Sequence, residues 1–379
     1  MEEITRLARP DILALQPYSS ARTEGEQRVE VFLDANENPF PPYPGNTATE
    51  GLNRYPEPQP GHLLDLFAAH YGVERERLLI TRGADEAIDL LVRAFCRAEH
   101  DAIVVNDPAF AMYEMSAKVQ GAAVRRVPLV PSPEGRFDLD VPAVVAAAGA
   151  DGSGDGDGGG SGGDGSVKLV FVCSPNNPTG GLARREDVLA VAGALFGRAL
   201  VVVDETYVDF SGQPSLARDQ DEHPNIVVLR TLSKEYSLAG ERCGVTIAHP
   251  AVIDLLGRIL APYPLTQSAI RAVTVAMSPP GLARARDHIR QLLQERAVVE
   301  DVLRASPGVE RVFPSDANFL LVRVTDPPRL MATMHAAGVK IRDRSTVPGI
   351  EGCVRISIGT PDENQRMLDA VAKYAATLD

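Results

Sequence analysis

From Leu78 onward the chain alternates short apolar runs with amphipathic segments of helical length, and this alternation constrains the fold more than anything else in its 379 residues. Leu78–Thr81 precedes a helix predicted over Ala84–Cys96, and Ala102–Asn106 precedes one over Phe110–Val119. Ala122–Val127 leads to Asp140–Ala148 and Val167–Cys173 to Arg184–Phe196, with strands at Leu200–Val203 and Ile226–Leu229 following. Elements alternating at this length predict an α/β protein whose large, mostly parallel sheet is flanked by helices on both faces. The ligands of such sheets gather at the carboxyl ends of the strands.

The rest of the chain has a different character. Val29 to Leu33 reads as a short strand that runs into Asp34 to Phe40 and a Pro-rich stretch through Pro44, which must be loop. Asn53 to Pro60 is turn-forming, and Gly61 to Tyr71 is helical in pattern. Asp151 to Ser166 contains only Gly, Asp and Ser; it can bury no apolar surface and is expected to be a mobile surface insertion in one connection. After Ala248 come helices over Ala251–Leu260, Thr266–Ser278 and Leu282–Ala305. Strands over Phe319–Val324, Val339–Arg342 and Val354–Ile358, with helices over Leu330–Ala337 and Gln365–Thr377, then form a compact α+β unit. The expected division is a large domain over 51–265, carrying the insertion 151–166, and a small domain from 1–50 plus 266–379.

Composition excludes several classes. No apolar run approaches ~18 residues, so no membrane span is expected, and Met1 to Asp11 has no signal-like apolar core. Cys96, Cys173, Cys243 and Cys353 are far apart and form no CxxC, which argues against a disulfide framework or a zinc knuckle. The default compartment is the cytoplasm. A net charge of −13 with no long basic run speaks against nucleic-acid binding, while leaving room for a local basic pocket.

Lysine is rare: of 38 lysines and arginines only five are lysine, and Lys234 stands among Thr231, Leu232 and Ser233, just past an apolar run and eight residues before Arg242. Alone, such a lysine is either a solvated charge or an amine meant to react beside an anion. Four stations precede it, each at a predicted strand end. At Arg82 to Glu86 a strand gives way to a helix through Gly83; the unpaired N–H groups at Ala84 and Asp85 suit an anion, and the acids equally suit a plain helix start. Phe110 is either a core residue or a cover for a planar ring. In Ser174-Pro-Asn-Asn-Pro-Thr-Gly180 two prolines and a glycine fix a turn around Asn177. Asp204 ends a buried apolar run, where a carboxylate needs a cation, and Tyr207 follows three residues on. With no His cluster nearby, metal is not expected.

One object uses all of these groups: a flat ring with a nitrogen to be kept protonated, a phenolic oxygen, an aldehyde and a phosphate, which is pyridoxal 5'-phosphate (PLP). Asp204 would hold the ring nitrogen by a charge-assisted bond of ~1.5–3 kcal/mol. Asn177 and Tyr207 would bond the ring oxygen, and Lys234 would form the Schiff base and shuttle a proton. Ser233, Arg242 and the N–H groups at Ala84 and Asp85 would hold the phosphate.

With those residues stand Asp34-Ala-Asn-Glu-Asn-Pro39, Arg54-Tyr-Pro-Glu-Pro-Gln59, Ala261-Pro-Tyr-Pro264 and Val354-Arg-Ile-Ser-Ile-Gly-Thr360. Together they resemble the fold-type I PLP-dependent aminotransferases, and within them the branch acting on histidinol phosphate, from about Tyr18 to the end of the chain. The resemblance implies a large seven-stranded PLP domain, a small domain made from both chain ends, and a homodimer in which Tyr55 reaches the neighbouring subunit's PLP phosphate. It implies that Thr231 supports the phosphate and that Phe110 stacks on the ring. It implies that Arg355 takes the acceptor's carboxylate and the substrate's phosphate, that Arg342 is its companion, and that Tyr18 and Asn36 line the substrate side. The implied reaction moves the amino group of L-histidinol phosphate to 2-oxoglutarate, giving imidazole-acetol phosphate and glutamate in histidine biosynthesis. Alternatives are an aromatic amino acid aminotransferase, a PLP-dependent decarboxylase of a phosphorylated amino acid, and a PLP-sensing domain of a transcription regulator. The chain departs from the pattern at Phe110, where tyrosine is common, after Phe40, where Pro-Pro-Tyr replaces a usual glycine, in the insertion, and at Glu235 and Glu241. The last two put negative charge near a phosphate site unless they point away.

Overall fold

The computed structural model describes residues 2–16, 31, 33–43, 45–149 and 165–378. Two short helices, α1 (Glu2–Thr5) and α2 (Pro10–Ala14), open the chain, and α3 (Gly61–Tyr71) leads into β1 (Leu78–Thr81) and α4 (Ala84–Phe95). Then follow β2 (Asp101–Asp107), α5 (Ala111–Gln120), β3 (Ala123–Pro128), the small hairpin β4 (Val130–Pro131) and β5 (Phe137–Asp138), and α6 (Val141–Gly149). Next come β6 (Ser166–Cys173), α7 (Arg185–Ala194), β7 (Leu200–Asp204), β8 (Ile226–Thr231) and β9 (Gly244–Ile247). Helices α8 (Pro250–Ile259), α9 (Gln267–Ala276) and α10 (Pro279–Ala305) lead to the second sheet. It is made by β10 (Val309–Val312), β11 (Phe319–Val324), β12 (Arg342–Asp343) and β13 (Cys353–Ser357), with α11 (Pro327–Ala336) and α12 (Pro361–Ala375) packed on it.

The large sheet has seven strands in the order β1-β9-β8-β7-β6-β2-β3. Its five central and distal strands are parallel, and β9 is antiparallel to both β1 and β8. The expected α/β architecture is therefore present, with one strand that the sequence pattern did not reveal. Gly244–Ile247 is a four-residue run, and only its insertion between β1 and β8 makes it a fully buried strand.

Both faces of the sheet are covered, so β7 from Leu200 to Val203 and β8 from Ile226 to Leu229 are apolar at consecutive rather than alternate positions. Side chains still alternate by face. Val201 and Val203 of β7 and Ile226 and Val228 of β8 enter the core shared with α3, α6, α7 and α9. Leu200 and Val202, with Val227 and Leu229, enter the opposite core under α4, α5 and α8. Each such burial contributes about 1.5–3 kcal/mol. The same two-residue count, carried past the strand ends, decides where the polar residues go.

The second sheet has the order β10-β11-β13-β12, all antiparallel, over a core that includes Val299, Leu320, Val322, Met334, Val354 and Tyr374. The strand predicted at Val339–Arg342 is displaced: only Arg342 and Asp343 pair with β13. Helix α12 starts before the predicted Gln365 because Thr360 and Glu363 form a capping box around Pro361.

The N-terminal residues differ from the expected division. Ile4, Leu7, Ala8 and Ile12 are buried in the core of α4 and α8, so 2–14 are built into the large layer and not into the small unit. Their apolar spacing needed a partner face that only the folded α4 and α8 provide. Of the strand predicted over Val29–Leu33, only 31 and 33 are among the described residues and neither is in a strand; the rest lies outside them. The insertion lies outside them as well, apart from Gly165 and Ser166; Ser166 already opens β6 and belongs to the sheet.

Candidate active site

A cavity of about 400 Å³ opens at the carboxyl ends of β6, β7 and β8, where a sheet of this kind leaves room for a ligand. Ala84, Asp85, Phe110, Asn177, Asp204, Tyr207, Thr231, Ser233, Lys234, Arg242, Arg342 and Arg355 all line it. These stations, scattered over 272 residue positions from 84 to 355, are brought to one place by the strand order.

Asp204 ends β7 and is 3% exposed. One carboxylate oxygen accepts from the Tyr113 hydroxyl at 2.7 Å; the other accepts from the Thr206 hydroxyl at 2.6 Å and the Thr206 N–H at 3.1 Å. The sequence demanded a cation here, and among the described residues Asp204 has only these neutral donors. Burial raises its pKa, and the bonds from Thr206 and Tyr113 oppose that rise. A buried carboxylate held by neutral donors and facing a cavity is arranged to receive a cationic partner from the cavity.

Lys234 follows β8 in an irregular turn and stands open to the cavity. Its surroundings lower its pKa, through desolvation first and then through the positive charges of Arg355 and Arg242. A larger neutral fraction makes the amine a better nucleophile.

The residues expected to hold an anion lie beside it on the same cavity. The Thr231 hydroxyl donates to Ser233 Oγ at 2.9 Å, and the Ser233 N–H donates to Thr231 Oγ1 at 3.2 Å. Arg242 reaches Ser233 Oγ at 3.4 Å and pairs with Asp85 at 3.2 Å. Its guanidinium lies against Gly83, where a Cβ would meet Nη2 at 2.8 Å, and Gly83 itself has φ 84°. The positive φ is what calls for glycine there. At the start of α4 both readings hold together: Glu86 accepts from the Arg82 N–H at 2.6 Å as a helix-start acid, while Ala84 and Asp85 face the cavity.

Phe110 likewise combines its two readings, packing edge-on to Tyr113 with centroids 5.6 Å apart while lining the cavity. Arg355 of β13 donates to Asn177 Oδ1 at 2.5 Å and lies over the Phe319 ring at 5.2 Å. The edge of that ring also supports Tyr207, with centroids 5.2 Å apart. The small unit therefore closes one wall of the cavity.

Three residues stand elsewhere. Tyr18 lies outside the described residues. Asn36 is exposed, with φ 54°, and does not line the cavity. Tyr55 is 50% exposed, stacks on Tyr263 at 4.4 Å and lies outside the cavity of its own chain. The cavity also contains residues the sequence reading left unassigned. Thr206 is two residues from Asp204 and Arg344 two from Arg342, a spacing that returns an extended chain to the same side and could have flagged both. Tyr113 had no such signal, because its partner is 91 residues away.

Glu235 points away from the cavity. Its carboxyl is buried against Arg230 at 3.4 Å, and Arg230 also pairs with Asp209 at 2.7 Å and Glu205 at 3.4 Å. Burial pushes Glu235 well above the usual carboxylate range, with Arg230 opposing. Glu241 does not line the cavity either.

Comparison with known proteins agrees with this geometry. The model of the aminotransferase class I and II family matches residues 20–371. Histidinol-phosphate aminotransferase 1 of Pasteurella multocida (strain Pm70) is 39% identical over 98% of this chain and 99% of its own length. The histidinol-phosphate aminotransferase of Cronobacter sakazakii (strain ATCC BAA-894) is 41% identical over 97% of this chain and 96% of its own. Among solved structures, histidinol-phosphate aminotransferase from Sinorhizobium meliloti in complex with pyridoxal-5'-phosphate superposes with a TM-score of 0.74. It shares 23% identity, over 86% of this chain and 84% of that one, a likeness of fold. A lysine and a buried aspartate on one cavity at the carboxyl edge of a seven-stranded sheet thus meet a full-length match in sequence: the chain belongs to the class I and II aminotransferase family.

Proposed function

We propose that the chain transfers the amino group of L-histidinol phosphate to 2-oxoglutarate, forming imidazole-acetol phosphate and glutamate, with PLP as cofactor. The observation that supports this most is the composition of one cavity. It holds a buried, neutrally solvated carboxylate, a lysine of lowered pKa and an arginine–serine cradle on the large sheet, facing arginines of the small unit. These groups fit PLP in chemistry: Asp204 for a ring nitrogen, Asn177 and Tyr207 for a ring oxygen, Lys234 for an aldehyde. Ser233, Arg242, Thr231 and the N–H groups at Ala84 and Asp85 fit a phosphate. When bound, PLP supplies an electron sink that stabilises negative charge at the substrate's Cα.

The chain's own residues do the rest. Asp204 would keep the ring nitrogen protonated, in the low-dielectric surroundings where such a bond is strong. Lys234 Nζ would hold the cofactor's aldehyde carbon and would take and return the proton at the substrate's Cα. Asn177 is oriented by Arg355, so the residue that holds the substrate's anion also fixes a ring contact. One anion subsite serving phosphate and carboxylate in turn suits a two-stage exchange.

The active unit in this reading is a homodimer, with Tyr55 completing the neighbour's phosphate site. Its support is that Tyr55 is exposed and misses its own cavity, and that Leu33, Phe40, Tyr43 and Leu52 of the same N-terminal stretch are exposed as well. The small substrate-closing unit would run from about the start of α10 to the end, since Ile270 and Val273 of α9 are buried in the core of the large sheet. The cytoplasm is the proposed compartment; among the described residues no helix is long and apolar enough to cross a membrane.

Steady-state assay of the purified chain with L-histidinol phosphate and 2-oxoglutarate tests the proposal, and glutamate formation is the expected result. A clear preference for phenylalanine as donor would assign the chain to aromatic amino acids, and CO2 release without glutamate would assign it to decarboxylation.

A further inference from the structure

The cavity contains more positive charge than one carboxylate can use. Past β12 the chain continues to Arg344, two residues beyond Arg342, and both side chains line the cavity with Arg355. Arg342 lies opposite Arg355 in the strand register, and the Arg344 N–H donates to the Cys353 carbonyl at 3.0 Å, extending the ladder by one residue. Asp343, between the two arginines, does not line the cavity, and its carboxylate accepts from the Ser345 N–H at 2.8 Å. Among the described residues, none of Arg342, Arg344 and Arg355 is in an ion pair, whereas Arg242 is held by Asp85 at 3.2 Å. The Nε groups of Arg344 and Arg355 are buried without a hydrogen-bond partner. Three uncompensated guanidinium groups repel one another, and a buried N–H without an acceptor is unfavourable until one arrives.

We propose that Arg344 is a specificity-determining residue that makes this pocket favour a phosphate dianion over a carboxylate. The inference rests on the reading above, in which a phosphate-bearing amine and a dicarboxylate acceptor use one anion subsite. A carboxylate carries one charge on two oxygens and is satisfied by a single bidentate guanidinium, for which Arg355 suffices. A phosphate monoester carries about −1.5 to −2 at neutral pH on three terminal oxygens, so a single fork leaves charge and acceptors unused. Arg342 on β12 and Arg344 just past it stand beside Arg355 to take up that remainder. A monoanion bound in the same place leaves two guanidinium groups still facing each other.

The test compares wild type, Arg344→Gln and Arg344→Lys as holoenzymes, by steady-state kinetics and by calorimetric titration with inorganic phosphate and with succinate. For Arg344→Gln the KM for histidinol phosphate and the Kd for inorganic phosphate rise about tenfold or more, as loss of a charge-assisted bond requires. The KM for 2-oxoglutarate and the Kd for succinate move less than about threefold, since Arg355 retains its fork. Arg344→Lys falls between, keeping the charge and losing the planar fork. Equal weakening toward phosphate and carboxylate, or no weakening toward either, overturns the assignment. The two readings separate in wild type: an enzyme that ignores histidinol phosphate yet binds inorganic phosphate through Arg344 refutes the substrate and keeps the residue's role. Turnover of histidinol phosphate unaffected by Arg344→Gln does the reverse.

Discussion

The carboxyl ends of β7 and β8 carry two polar clusters back to back, and they differ in one respect. On the cavity side stand Asp204, Thr231 and Lys234; on the other stand Glu205, Arg230 and Glu235, each next in sequence to a residue of the first set. The rear cluster pairs its charges within the chain, although Arg230 Nε and Glu235 Oε2 are buried without a hydrogen-bond partner. Arg230, 2% exposed, is surrounded by Glu205, Asp209 and Glu235 and lies over the Tyr71 ring at 5.2 Å, while Glu205 also accepts from the Leu216 N–H at 2.7 Å. The cavity-side cluster is incomplete: its carboxylate has only neutral donors, its amine has no carboxylate partner among the described residues, and three arginines face it unpaired. Where the chain supplies both charges, the cluster fixes structure. Where it supplies one of each pair, the remainder describes a ligand.

The contrast can be broken most severely at Lys234. Lys234→Ala should reduce transamination by about 10^4-fold or more, because covalent anchoring and proton transfer are both lost. The absorbance of the lysine-linked cofactor should vanish while the melting temperature stays near wild type. Turnover persisting with that absorbance would refute the cavity-side assignment. The rear cluster should answer the other way. Arg230→Met leaves carboxyls buried without their cation and should cost about 3–5 kcal/mol of stability, read from denaturant unfolding. A variant as stable as wild type would show that the cluster is not held by its charge balance.

A smaller effect sharpens the same point. Burial raises the pKa of Glu235 far above its ordinary 4.5, so the folded state retains a proton that the unfolded chain releases. Its contribution is fully present below pH 4.5 and declines as pH rises through the folded-state value. Glu235→Gln removes that decline, so the variant should gain stability relative to wild type as pH rises from 5 to 8, with turnover little changed. A flat difference across that range would mean that Glu235 is ionised in the fold. The smallest effect belongs to the insertion. Replacing Asp151 to Asp164 by a short turn should leave kcat/KM within about twofold, because it precedes the amino end of β6 and the cavity is at the other end. The cut must stop before Gly165, whose carbonyl accepts from Arg125 at 2.8 Å.

Much of this was legible in the chain. Strand and helix alternation set the sheet, because a parallel sheet buried on both faces needs continuous apolar runs and the runs are there. The stations at Gly83, Asn177, Asp204 and Lys234 could be recognised because each sits at or just past a strand end with chemistry that a plain turn does not require, and Arg242 because it is eight residues after Lys234. Even the rear cluster was within reach, since counting by two along Val201, Val203 and Glu205, and along Ile226, Val228 and Arg230, puts both charges on one face.

What the sequence could not supply were relations between distant segments. Residues 2–14 join the large layer because their apolar side chains fit a groove made by α4 and α8, and nothing in their own spacing names that groove. Strand β9 exists because β1 and β8 leave one lane between them. Tyr113 becomes a partner of Asp204, and Arg344 a neighbour of Arg355, only once the sheets have assembled. Local chemistry and period are written in the chain because backbone geometry fixes them residue by residue. Which cores meet, and which charges are left unpaired where they meet, is decided by packing among segments hundreds of residues apart.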